Sequence, residues 1–269
     1  MLTARRCAVV GHPVAHSLSP PMHAAAYAHL GLDWDYTAID VEPGGLAHFV
    51  ATRDASWRGL SVTAPHKRDA LDLADSASEM ARRAGGANTL LLDARGVHAD
   101  NTDVGGTANA WREHGLRDLT TVRVLGAGAT AASVALAARE LGARRLELRV
   151  RDATRAEQTR AAAAAAGLDV RIEPLAQDPS EHADLIVSTL PEHVVAPQAA
   201  AHVARADAVF EVVYDPWPTT LARLAQEAGR PVVDGLDLLA HQAVLQVRLM
   251  TEHEVPVEIL RSAARAALG

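Results

Sequence analysis

The sequence predicts an α/β protein whose second half is a parallel, doubly wound sheet. Short apolar runs recur from residue 120 onward, with helical stretches between most of them. That alternation favours parallel strands joined by helical crossovers. One of these strands leads through a glycine-rich turn straight into a helix. The material for cores is present: 49% of the 269 residues are hydrophobic and only 3% aromatic, so Ala, Val and Leu must build them.

In the first half, "CAVVG" (7–11) reads as a strand. "SPPMHAAAYAHLG" (19–31) reads as a helix with Ser19 at its N-cap, prolines in its first turn and Gly31 at its end. "DYTAIDV" (35–41) alternates like a strand, and "GLSVTAP" (59–65) is another, closed by Pro65. "ANTLLLDARGVHAD" (87–100) reads as a hairpin around Arg95-Gly96. Later strands are expected at 121–126, 145–150, 169–175, 184–190, 208–214 and 230–235. The tail after Gly235 is helical. The six alanines at 161–166 read as an exposed helix, since alanine is the best helix former. "TDVGGTANAWREHGL" (102–116) reads as a helix at the seam between the halves.

The formal net charge is −7, and no basic run is interleaved with aromatics, which argues against nucleic acid and anionic membranes as partners. Cys7 is the single cysteine, so no intramolecular disulfide can form. The opening "MLTARRCAVVGHP" has an apolar run too short for a secretory leader, and no stretch approaches a membrane span. The expectation is a soluble, cytoplasmic protein.

"VRVLGAGATAASVALAARELG" (122–142) is a strand, then Gly126, Ala127, Gly128, Ala129, Thr130 and Ala131, then a helix. This G-x-G-x-x-A pattern suits a dinucleotide. The first glycine permits the tight turn, the second lets backbone approach a pyrophosphate, and the small third residue lets helix and strand pack closely. The helix N-terminus adds positive potential. The next strand ends "RVRDATR", with Arg149, Arg151 and Arg155 available to a 2′-phosphate. Asp152 either bonds a 2′-hydroxyl or pairs with Arg155. NADP is therefore favoured, with NAD possible.

Lys67 is the only lysine among the 26 basic residues. Guanidinium stays protonated, whereas an ammonium can exchange its proton, so this position has a chemical reason to differ. Around it lie small polar groups that follow strands. Ser17 and Ser19 open a helix, as a carboxylate site or as plain caps. Thr63, Asn88, Asn101 and Asp103 follow. Taken singly, Asn88 and Asn101 read as turn residues and Asp103 as a helix cap. Together with Lys67 they suit a polyhydroxylated acid whose alcohol–ketone redox needs one proton moved at oxygen.

These segments resemble the shikimate dehydrogenases over nearly the whole chain. "SLSP" (17–20), "SVTAPHK" (61–67), "GGANT" (85–89), "ADNTD" (99–103), "GAGATA" (126–131), "VRD" (150–152), "VVYDPWPTTLARLA" and "DGLDLLAHQ" occur in that family's order and spacing. The resemblance implies that Ser17 and Ser19 bind the substrate carboxylate. It gives Thr63, Asn88, Asp103, Tyr214 and Gln242 to the ring, and Lys67 with Asp103 to acid–base work. Gly126 to Ala131, Arg151 and Gly235 would hold NADP, and Glu79 matches a cofactor-side position; by itself "SASEMARR" reads as a solvated helix face. No metal is implied. Ser61, Ala99, Ala129, Val150 and Asp152 depart from the family pattern. The change at Ser61 bears on ring contacts and admits a relative of shikimate as substrate.

The implied architecture is a substrate-binding domain from residues 1–103 and 237–269, with a Rossmann-type NADP-binding domain at 104–236. The implied activity is reversible NADPH-dependent reduction of 3-dehydroshikimate to shikimate, a step toward chorismate and the aromatic amino acids, by a monomer or homodimer. Competing readings are an NAD-using quinate or aminoshikimate dehydrogenase, and a non-catalytic dinucleotide-binding regulator. A methylene-tetrahydrofolate-type dehydrogenase also joins a lysine-bearing domain to a Rossmann domain, but "SLSP" and "NTD" fit it poorly.

Overall fold

A computed structural model describes residues 5–269; the leader reading falls in part on residues 1–4, outside the described residues. The chain divides into two compact units, one running up to Gly106 and resuming with Leu239–Gly269, the other Thr107–Leu238.

The first unit contains β1 (Arg6–Gly11), α1 (Ser19–His29), β2 (Asp35–Asp40), α2 (Leu46–Ala51), β3 (Trp57–Val62), α3 (Lys67–Asp72), β4 (Ser76–Ala77), α4 (Glu79–Ala84), β5 (Thr89–Asp93), β6 (Gly96–Asp100) and the start of α5 (Thr102–Glu113). Its sheet order is β2-β1-β3-β5-β6-β4. β1 is parallel to β2 and β3, while β5 runs antiparallel to β3 and β6. The 87–100 segment is thus the expected hairpin. β1 and β3 are buried along nearly their whole length, which explains why they read as apolar runs and not as alternation. β3 starts at Trp57 and stops at Val62, earlier at both ends than expected.

The second unit contains β7 (Thr121–Leu125), α6 (Ala129–Glu140), β8 (Arg145–Val150), α7 (Glu157–Ala165), β9 (Asp169–Pro174), β10 (Ala183–Ser188), α8 (Glu192–Val195), α9 (Ala199–Val203), β11 (Ala206–Glu211), α10 (Thr220–Glu227) and β12 (Val232–Val233). The order β12-β11-β10-β7-β8-β9 is wholly parallel. Strand order reverses at β7, and the crevice at such a point is where open α/β sheets bind ligands. The core is aliphatic and small-residue, with Val122, Val124, Ala131, Val134, Leu146 and Leu148 packed together around Trp111 and Phe210. The alanine run forms the second half of α7, with Ala163 buried and Ala161, Ala164 and Ala165 exposed.

Helices α11 (Gly235–Thr251) and α12 (Val257–Leu268) close the chain, and α12 packs on α1. Among the described residues, no helix is long and apolar enough to cross a membrane.

Candidate active site

Lys67 is the first residue of α3, a turn after β3 ends. Its ammonium donates to Asp103 Oδ2 at 2.7 Å, and the side chains of the pair are only 15% and 10% exposed. Asp103 lies in the first turn of α5, where a carboxylate is favoured by the helix dipole. It does not cap that helix. Asn101 does, its Oδ1 accepting from the N–H groups of Asp103 and Val104. This frees the Asp103 carboxylate to meet Lys67, and it corrects the reading of Asp103 as a cap.

Asn88 holds the other oxygen of the Asp103 carboxylate. Its Oδ1 accepts from Thr102 N–H at 2.8 Å and from the Thr89 hydroxyl at 2.9 Å. A backbone N–H can only donate, so the amide orientation is fixed and Nδ2 must face the other way. There it donates to Asp103 Oδ1 at 2.8 Å and approaches Gln242 Oε1 at 3.3 Å. Asn88, Asn101 and Asp103 are all at least nine-tenths buried, so these bonds are shielded from water.

Gln242 reaches this cluster because α11 crosses very close to α5. A Cβ on Gly106 would sit 2.7 Å from the backbone nitrogen of Gln242. The Gly105-Gly106 pair is a sequence signal for that close crossing, one the motif reading left unused. Also missed were Thr89, Thr102 and Gln246, whose roles are visible only once β5, α5 and α11 are brought together.

Ser17 and Ser19 lie at the start of α1. Ser19 is not the N-cap: Leu18 occupies that position with no side-chain cap, and Ser19 is the first helical residue. Ser17 Oγ accepts from the Ser19 N–H at 3.2 Å, which leaves its own O–H to donate elsewhere. The buried Ser19 side chain lies beside the Tyr36 hydroxyl. Thr63 is half-buried just past β3, its N–H bonded to Val10 O. Glu79 is exposed at the first turn of α4, whose cap is Ser78.

In the second unit, the glycine turn fits a dinucleotide. Gly126 has φ +113°, and a Cβ there would lie 2.4 Å from Thr189 Oγ1, so only glycine serves. Gly128 begins α6 without a side-chain cap, and a Cβ built on it meets nothing within 4 Å. Backbone N–H groups there stand open to an anion, while Ala131 is fully buried against β7 and β8 as the small third residue.

The arginines after this loop separate. Arg149 is 2% exposed, ion-paired to Glu147, and donates to Pro174 O and Gln177 O. It is therefore structural and is withdrawn as a phosphate ligand. Strand alternation explains this, because residues 147 and 149 share one face of β8. Arg151 and Arg155 lie beyond the strand and are exposed. Asp152 accepts from the N–H and hydroxyl of Thr154, capping the short 3₁₀ turn 153–156. Tyr214 is half-buried after β11, and burial raises its phenol pKa. Gly235 begins α11 with its Cα packed on Val212, where a Cβ would strike Val212 O at 2.1 Å.

Comparison with known proteins is consistent along the chain. Residues 9–90 match the model of the shikimate dehydrogenase substrate binding domain, and residues 235–265 that of the shikimate 5'-dehydrogenase C-terminal domain. The chain is 37% identical over 268 residues to "Shikimate dehydrogenase (NADP(+))" of Thermus thermophilus, covering 98% of this chain and 99% of the relative. The solved structure of Mycobacterium tuberculosis shikimate dehydrogenase superposes with TM-score 0.88 at 34% identity, over 97% of this chain and 99% of that one. A shikimate 5-dehydrogenase of Thermus thermophilus, solved in complex with NADP(H) and shikimate, superposes with TM-score 0.83 at 34% identity, over 98% and 99%. With a relative 37% identical over 98% of its length and family models matching its two ends, the chain belongs to the shikimate dehydrogenase family.

Proposed function

We propose that this protein is an NADP-dependent shikimate dehydrogenase, reducing 3-dehydroshikimate to shikimate reversibly in the route to aromatic amino acids. The observation that carries the reading is the mostly buried Lys67–Asp103 pair steadied by Asn88, in a chain of this family. The cofactor, when bound, supplies or accepts the hydride. The chain's own residues handle the substrate and the proton. Ser17 and Ser19 hold the carboxylate through their hydroxyls. Asn88, Gln242, Thr63 and Tyr214 present hydrogen-bonding groups to the ring. Lys67 Nζ gives its proton to the carbonyl oxygen during reduction and takes it back during oxidation. Asp103 holds the ammonium in place through Oδ2 and keeps its charge balanced in a site with little water.

The turn from Gly126 to Ala131 would cradle the pyrophosphate, with Gly235 allowing α11 to start close against Val212. Arg151 would meet the 2′-phosphate; Glu79 is kept as a cofactor-side residue on the resemblance alone. In this reading the substrate domain is 1–103 with 237–269, the cofactor domain is 104–236, and the enzyme works in the cytoplasm. The test is an activity matrix of NADP⁺ and NAD⁺ against shikimate and quinate. NADP⁺ with shikimate should give the highest kcat/KM. A higher value for NAD⁺ with quinate would replace the substrate and cofactor assignment. Tight dinucleotide binding without turnover on either acid would leave only a binding protein.

A further inference from the structure

Ser61 stands where the family pattern has asparagine, yet it is only 4% exposed and its hydroxyl is engaged inside the protein. That hydroxyl accepts from Tyr36 Oη at 2.6 Å and donates to Gln246 Oε1 at 2.8 Å. Gln246, 1% exposed on α11, turns its Nε2 the other way. That nitrogen donates to Asn88 O at 3.0 Å and to Thr89 Oγ1 at 3.1 Å. The Thr89 hydroxyl then donates to Asn88 Oδ1, and Asn88 Nδ2 donates to Asp103 Oδ1. Every link has one donor and one acceptor, so the polarity runs one way from Tyr36 to the carboxylate that holds Lys67.

His23 closes the far end. It stacks on Tyr36 at 4.0 Å between ring centroids and brings Nε2 within 3.4 Å of Gln246 Oε1. Burial lowers its pKa to about 3, so it is neutral, and in the tautomer with Nε2 protonated it donates to the same acceptor. Gln246 therefore has both ends of its amide used. Flipping the amide would set Oε1 against the Asn88 carbonyl, two acceptors face to face, so that carbonyl fixes the orientation.

We infer that Gln246, oriented by Ser61 and Tyr36, is a positioning residue that holds the Asn88 carbonyl and the Thr89 hydroxyl in place, and through them the Asn88 side chain that the Thr102 N–H orients toward Asp103 of the Lys67–Asp103 pair. It touches neither the substrate nor the cofactor in this scheme. The inference deepens the proposed function and rests on Lys67–Asp103 being the acid–base pair. It also gives Ser61 a place in the protein interior: Ser61 and Gln246 form one polar unit beneath the site.

The test is a double-mutant cycle on the full-length enzyme, with kcat/KM for shikimate and the Kd for NADP⁺ both measured. Gln246→Met keeps length and loses the hydrogen bonds. It should lower kcat/KM about ten-fold, the loss produced by one misplaced hydrogen bond of about 1.4 kcal/mol, with NADP⁺ Kd unchanged. In an Asn88→Ala background the same change should add less than about two-fold, because its route to the pair is already gone. If Gln246→Met does not fold, Ser61→Ala, which deletes a single oxygen, supplies the same cycle. An equal ten-fold loss in both backgrounds overturns the inference, as does an unchanged kcat/KM in the single variant. Near-normal turnover by Lys67→Ala instead removes the acid–base reading beneath it, whatever Gln246 does.

Discussion

Replacing Lys67 by arginine keeps a positive charge beside Asp103 and removes the proton that can be exchanged. Replacing it by alanine removes both. The structure separates the two consequences. Lys67 Nζ and Asp103 Oδ2 are 2.7 Å apart with side chains 15% and 10% exposed, so alanine deletes one charge-assisted hydrogen bond from a mostly buried carboxylate. Such a bond contributes about 1.5–3 kcal/mol. Asn88 still donates to the other oxygen, which limits the damage to the fold. Turnover should fall much further, by about 10²–10⁴-fold for both variants, the range for lost acid–base catalysis, equivalent to about 3–5 kcal/mol of barrier. The assay follows shikimate-dependent appearance of reduced nicotinamide well below the melting temperature, with NADP⁺ Kd measured in parallel. Cofactor affinity should change little, since the glycine turn belongs to the other unit. Arginine at near wild-type turnover would refute the reasoning, because a fixed guanidinium charge would then suffice.

Arg151→Ala should raise the Kd of NADP⁺ much more than that of NAD⁺; equal weakening would remove the 2′-phosphate role. Arg149→Ala, by contrast, should cost stability first, because that guanidinium is sealed against Glu147, Pro174 O and Gln177 O. Gly106→Ala should destabilise the fold by about 1–3 kcal/mol through overpacking, since its Cβ would meet the Gln242 backbone at 2.7 Å, and should raise shikimate KM as Gln242 is displaced; thermal unfolding and KM measured together check this. Burial pushes the carboxyl of Glu211 up to about 7, from 4.5, while its oxygens accept from Val213 N–H and the Thr219 hydroxyl. The folded state thus keeps a proton that the unfolded chain has released. This stabilisation is complete below about pH 4.5 and is lost as pH rises through about 7, on the order of 3 kcal/mol in all. Glu211→Gln should flatten that part of the stability–pH curve; an unchanged slope would show that another group causes it.

The single lysine, the glycine turn and the strand rhythm of residues 121–235 were legible because each is a local pattern. A tight turn needs Gly126 whatever surrounds it, and an apolar run between helices needs a sheet. The identities of Asn88 and Asp103 as partners of Lys67 were legible only as members of a family set, since each alone also suits a turn or a cap. Capping is where the local reading failed. Ser19 and Asp103 both have the chemistry of caps, but Leu18 and Asn101 took those places and left the two polar side chains for other partners.

What the chain order alone determined is the alternation of strands and helices, the phosphate-type turn from Gly126 to Ala131 and the choice of lysine at position 67. What tertiary structure decided is which polar groups face one another. The register of β7 on β8 sets Arg123 against Glu147 and consumes Arg149 as a buried strut, although "RVRDATR" reads as three equivalent arginines. The glycine pair in α5 lets α11 come close enough for Gln242 and Gln246 to reach Asn88, from residues more than 150 positions away. Local pattern follows from backbone geometry, which each residue carries with it. Pairing follows from packing, which only the folded chain supplies.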